Sequence, residues 1–596
     1  MCRSTGSRPA PNGRYTVNGS LALRRALLVL SAALAACTSA GGAPSLTPAS
    51  LEGPYDLVIA GGRVVDGTGN PWFYGDVAVT GERIARVAPA GMLAHARAKR
   101  RIDAHGMVVA PGFIDIQAQS VGELVNGDSR VISMTTQGVT TMIFGEGETP
   151  APTNNKVIPM YADADGADST EQRIMAGFQG PHGFGNWLQE MAQHKASVNF
   201  GSFIGAATVR AYAKGMAEGA ATPAELDTMR AVVRRAMQDG AFGVGSALIY
   251  PPGSYASTQE LVAEAKAMAP YGGVYITHMR SEGDRLLEAV DEALTIGREG
   301  GVPVEIYHLK AAGVSNWPKA RQVVAKIDSA RAAGQDVAAD QYAFTAGANG
   351  FSSCIPPWAH ADGKLLQRLG DPTTRARIKT DMTQVESSWE NLCLGATPAN
   401  VEVLGFHEDS LKQFEGKRLA DIAQALHTDW ADAVINLTLA ERNRLGQILF
   451  IASDSNVAMQ IQQPWMKFGT DAEGLDPDSA QGMTHPRSYG NYPRVLGRFV
   501  REQHILRLED AIRKMTWAVA ERLSIHDRGM LHEGMHADIV VFDPNTIIDR
   551  ATYENPHQLS VGMQHVFVNG VEVVTDGKST GAKPGEIVRG PGYGQP

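Results

Sequence analysis

The chain has 596 residues, 43% of them hydrophobic and 20% charged, with a net charge of −9. This composition is ordinary for a globular protein, and the length exceeds one typical domain. No basic run marks a nucleic-acid surface, so no nucleic-acid partner is expected; the mild acidic excess serves solubility.

At the N-terminus Arg24-Arg25 precede the apolar run Ala26 to Leu34, which is too short to span a bilayer. The run ends in Leu34-Ala35-Ala36-Cys37, which resembles a bacterial lipoprotein signal whose cysteine is lipidated after cleavage. A plain signal peptide with an incidental cysteine is the alternative. Residues 38–53, small and rich in Pro and Gly at the start, then form a linker. The expectation is an exported protein, periplasmic or membrane-anchored in a bacterium, that meets the membrane through a lipid anchor only.

From residue 54 to 110, short alternating runs such as Asp56-Leu57-Val58-Ile59 are broken by Gly61-Gly62 and Gly81-Glu82, as in hairpin strands. Residues 520–596 answer with Ile539-Val540-Val541-Phe542 and Val566-Phe567-Val568. Both ends are therefore expected to build one small β-sandwich domain beside a central barrel at 111–519. Strand candidates fall at 113–117, 140–144, 198–204, 242–248, 274–277, 304–307, 337–342 and 466–469. Residues 448–452 are a ninth candidate for eight places. Thr222-Pro223-Ala224-Glu225 is a capping box opening a helix to about residue 238, and Ser257-Thr258-Gln259-Glu260 opens another. The stretch at about 348–444 is too long for a loop and reads as an inserted lid. It holds Cys354 and Cys393, which are expected as two buried thiols, although an exported chain could pair them.

The acidic and histidine candidates follow these apolar runs. Glu146, His278, His308 and Asp471 each come at the end of one. In a (β/α)8 barrel such strand ends face one shared site. Two imidazoles and a carboxylate leave a position for water on a zinc ion, which is the layout of a catalytic site. Glu148 competes with Glu146, and Asp454 competes with Asp471, because each lies equally near a run.

The motifs Ala110-Pro111-Gly112-Phe113-Ile114-Asp115, Ile249-Tyr250-Pro251-Pro252-Gly253, Thr277-His278-Met279-Arg280 and His485-Pro486-Arg487 appear in one order. In that order the chain resembles the N-acyl-D-amino-acid deacylase (D-aminoacylase) family of the amidohydrolase superfamily, from about Tyr55 to Arg589. The resemblance implies an α/β fold, a TIM-like (β/α)8 amidohydrolase barrel, and a metal held by Glu146, His278 and His308. Two departures touch the metal site. Gln117 and Gln119 stand where the family has a His-x-His pair for a second metal, and Glu146 stands where it often has cysteine. One Zn2+ per chain is therefore expected, with Mn2+ or Co2+ as other hard-donor options.

By the same resemblance Asp471 is the proton shuttle, taking a proton from attacking water and passing it to the leaving amine. Tyr250, Arg280, Lys310 and Arg487 are placed on the substrate, where the cations suit a carboxylate. Structural ion pairing is the other reading of Arg280 and Lys310. Ala348 takes the place of a family serine. The expected substrate is a small molecule, an N-acyl-D-amino acid or related linear amide. A dipeptidase or cyclic-amide hydrolase on the same scaffold is the alternative, as is a metal-free binding protein.

Overall fold

Short runs of Val, Ile, Phe and small residues, buried on both faces, form the strands of the barrel. They are β1 (Phe113–Asp115), β2 (Val139–Phe144), β3 (Asn199–Ser202), β4 (Gly243–Ala247), β5 (Val274–His278), β6 (Val304–Ile306), β7 (Val337–Gln341) and β8 (Met466–Phe468). The computed structural model describes residues 51–161, 174–385 and 388–595. The expected signal peptide, Cys37 and nearly all of the linker lie outside the described residues.

All pairings between these strands are parallel. They form arcs of six and three strands, with Ile204–Gly205 continuing β3 alongside β4. The other seam closes just beyond β1 and β8. There Ala118 bridges Ala472 in parallel, Asp471 N–H donates to the Gln117 carbonyl at 2.7 Å, and Gln119 N–H donates to the Ala472 carbonyl at 3.0 Å. This seam sets Gln117, Gln119 and Asp471 side by side.

The connecting helices start where the caps predict. Helix α1 (Pro223–Asp239) opens on the Thr222–Glu225 capping box and ends at Gly240 in the left-handed region. Helix α2 (Thr258–Met268) opens on Ser257, whose hydroxyl accepts from Glu260 N–H.

The strand at Gly446–Leu449, the ninth candidate, does not belong to the barrel. It pairs antiparallel with Gly347–Gly350 on one side and Val401–Leu404 on the other. These and Lys417–Arg418 make a four-stranded sheet inside the insert, which therefore runs beyond residue 444 to Leu449. The insert has its own core, including Leu365, Ile378, Cys393, Val434 and Ile435. The expectation of two free thiols is corrected here: Cys354 and Cys393 form a disulfide, with Cα atoms 5.3 Å apart. The insert's packing brings together two residues 39 positions apart, a distance that spacing alone cannot reveal.

Strands from both termini join in one nine-stranded sheet, in which Ile539–Phe542 pairs with Val108–Pro111. Leu57, Ile59, Val77, Val109, Ile539, Val541 and Phe567 share one apolar core, the packing a domain built from both ends requires.

Candidate active site

Glu146 lies two residues past β2, between glycines that the backbone demands. Gly145 has φ +102° and Gly147 +73°, and a Cβ on Gly145 would meet the Phe203 carbonyl oxygen at 2.3 Å. His278 is the last residue of β5. His308, two residues past β6, has φ 34°, and its N–H donates to Asp340 Oδ1 at 2.8 Å. Asp471 also lies in the left-handed region, at φ 51°. Such conformations are costly for residues other than glycine and persist where surrounding bonds fix them.

The three expected ligands converge. Glu146 Oε1 lies 3.2 Å from His278 Nδ1 and 3.1 Å from His308 Nε2. Among the described residues, this is the one group of at least three His, Cys, Asp or Glu side chains whose donor atoms all lie within 4.8 Å. One carboxylate and two imidazoles fit a divalent cation such as zinc, with manganese or cobalt as further options. His278 Nε2 is buried without a hydrogen bond, so that imidazole is held by packing and by Glu146. Burial raises the Glu146 carboxyl, but the imidazoles outweigh it and hold the group well below the usual carboxylate range.

Glu282 stands behind both imidazoles and was missed by sequence reasoning. Its Oε1 is 3.0 Å from His308 Nδ1 and its Oε2 is 3.9 Å from His278 Nε2. Lys310 Nζ lies 2.7 Å from Glu282 and 2.8 Å from His308 Nδ1. Despite burial, Lys310 and the two histidines keep Glu282 ionised far below the ordinary range. The only signal in the sequence was an acid four residues after His278.

Asp471 faces the same space. Its Oδ2 is 2.7 Å from Arg487 NH1. Burial raises the Asp471 carboxyl, and Arg487 opposes this. The Arg487 guanidinium lies over the Tyr342 ring, 4.7 Å from its centre, and its Nε has no hydrogen-bond partner among the described residues. The rivals lie elsewhere: Asp454 is 63% exposed and pairs with Arg498, and Glu148 is exposed.

Glu146, His278, His308, Lys310, Tyr250, Asp471 and Arg487 all line one cavity of about 510 Å3. Tyr250 OH accepts from Asn349 Nδ2 at 3.0 Å, and its ring meets the His278 ring edge-on at 5.5 Å. Burial keeps this phenol protonated well above its usual range. Arg280 is the correction. Its guanidinium donates to both Glu292 oxygens at 2.9 and 3.0 Å and to the Ser254 and Ala256 carbonyls, and it is not among the residues lining the cavity. Four of its five donors are spent on its own scaffold. The insert contributes Ala348, Asn349, Leu392, Leu404, Gln447 and Leu449 to the cavity wall, so it forms part of the site.

Known proteins resemble this chain over about 90% of its length. The amidohydrolase family profile matches residues 443–574. The chain is 31% identical over 538 residues to a D-aminoacylase of Alcaligenes xylosoxydans xylosoxydans, covering 90% of this chain and 98% of that one. It is 33% identical over 540 residues to an N-acyl-D-aspartate deacylase of the same organism, covering 89% and 95%. Among solved structures, a crystal structure of D-aminoacylase superposes with a TM-score of 0.73 at 31% identity, covering 90% of this chain and all of that one. An N-acyl-D-glutamate deacylase from Bordetella bronchiseptica, complexed with zinc and a phosphonate mimic of the tetrahedral intermediate, superposes at 0.72 with 29% identity and the same coverage.

Proposed function

The chain belongs to the N-acyl-D-amino-acid deacylase family of the amidohydrolases, and on that premise we propose that it hydrolyses the linear amide of N-acyl-D-amino acids with one bound metal, zinc first. The observation that carries this reading is the convergence of Glu146, His278 and His308 beside an aspartate held on an arginine.

Glu146 Oε1, His278 Nδ1 and His308 Nε2 would hold the metal, while Glu282 and Lys310, both within 3.0 Å of His308 Nδ1, hold that imidazole from behind. When bound, the metal supplies Lewis acidity, polarising the amide carbonyl and acidifying water. Asp471 accepts the proton of the attacking water at a carboxylate oxygen and returns it to the departing nitrogen, so the C–N bond breaks as the neutral amine leaves. Arg487, which lines the cavity beside Asp471, receives the substrate carboxylate, and Tyr250 supplies an O–H to the wall facing His278. Lys310 works mainly on Glu282 and His308 and contributes positive charge to the cavity.

We further propose export, with Cys37 lipidated. A panel of N-acyl-D- and N-acyl-L-amino acids, assayed for amine release before and after chelation, tests the function. The D series should be cleaved and the chelated protein should be inactive. Cleavage unaffected by chelation, or none in the whole D series, would refute the reading.

A further inference from the structure

Two acidic side chains, Glu146 and Asp471, face one small space at the closing seam of the barrel. Neighbouring carboxylates in such a place need a cation or strong donors between them. Here one neutral amide bridges them and a second joins Glu146. Gln117 Nε2 donates to Glu146 Oε2 at 2.6 Å, and Gln119 Nε2 donates to the same oxygen at 2.7 Å. Gln119 Nε2 also reaches Asp471 Oδ1 at 3.3 Å.

We infer that Gln117 and Gln119 are positioning residues, whose amide N–H groups fill the place of a second cation and lock the ligand carboxylate and the proton shuttle into one arrangement. This rests on the one-metal reading above and adds to it a cause for the single metal.

Three features carry the inference. First, the Ala118–Ala472 bridge and the seam hydrogen bonds between Gln117 and Asp471 and between Gln119 and Ala472 fix the level of both glutamines beside Asp471. Second, the donors are divided by atom: the imidazoles take Glu146 Oε1 and the amides take Oε2. The carboxylate therefore cannot turn its second oxygen toward the imidazole side without losing two charge-assisted hydrogen bonds. Third, Gln117 Oε1 is buried and has no hydrogen-bond partner among the described residues. An amide that leaves its own carbonyl unpaired is oriented by what its nitrogen meets, and that is Glu146.

The test uses the full chain and zinc. In Gln117→Met and Gln119→Met the length is kept and the donors are removed. Each variant should still bind one equivalent, with affinity about 10- to 100-fold weaker by competition with a chromogenic chelator. In the double variant Gln117→His/Gln119→His, two imidazole nitrogens would face Glu146 Oε2 and Asp471 Oδ1, a four-donor set, and elemental analysis should find a second equivalent. That gain is a readout that a purely structural role would not produce. Methionine variants that bind zinc as tightly as the parent, or a double histidine variant that stays at one equivalent, would overturn the inference and leave the one-metal reading standing. A parent protein that binds no zinc would overturn both.

Discussion

His308 and Asp471 share an unusual backbone state, φ 34° and 51°, each pinned by one N–H bond, to Asp340 and to the Gln117 carbonyl respectively. The strain turns both side chains into the cavity just past their strands. If Asp471 is the shuttle, Asp471→Asn should lower turnover by about 10²- to 10⁴-fold while zinc content holds, and Asp454→Asn should change little; steady-state assays with elemental analysis decide this. Burial holds the Asp471 carboxyl above the usual aspartate range and Arg487 opposes that rise. The base must be ionised, so the acid limb of kcat/KM should lie above the ordinary aspartate range and move further up in Arg487→Met; a limb that stays put would separate the two residues. Glu282→Gln should weaken zinc binding by about 10- to 100-fold by loosening the orientation of His308, read by chelator competition. His278, His308 and Asp471 were legible in the sequence because each ends an apolar run. Arg280 was misplaced because Glu292, on the helix after β5, claims its guanidinium, and no local pattern announces that pairing.

At the scale of elements, the barrel strands were readable because buried parallel strands leave short apolar runs closed by polar residues. The ninth run misled because a buried antiparallel strand has the same appearance over four residues. Its partners, Gly347–Gly350 and Val401–Leu404, carry too little pattern to be recognised alone. The insert's role in the cavity was equally hidden, since Asn349 and Gln447 reach Tyr250 only through that sheet. Gln447 donates to Asn349 Oδ1 at 2.9 Å, and its own Oε1 lies 3.3 and 3.4 Å from the two disulfide sulfurs. Closing a loop across 39 residues stabilises the fold by about 3–4 kcal/mol through the unfolded chain. Cys354→Ala/Cys393→Ala should lose about that much in denaturant unfolding, and the parent should lose a similar amount under reducing conditions.

Across the whole molecule, the termini meet in one sheet, so the domain beside the barrel forms only after both ends of the chain are available. The disulfide supports the proposed export, since such bonds persist in oxidising compartments. Mass spectrometry of the processed N-terminus should find a lipid-modified Cys37, and an unmodified residue at another position would refute the anchor. The protein is proposed to carry one catalytic metal in a site whose second position is filled by amides. Stepwise addition of zinc to metal-free protein, with hydrolysis of an N-acyl-D-amino acid followed at each step, tests it most directly. Activity should rise from near zero and saturate at one equivalent per chain; a plateau only at two equivalents, or full activity before any zinc is added, would rule out a single catalytic metal.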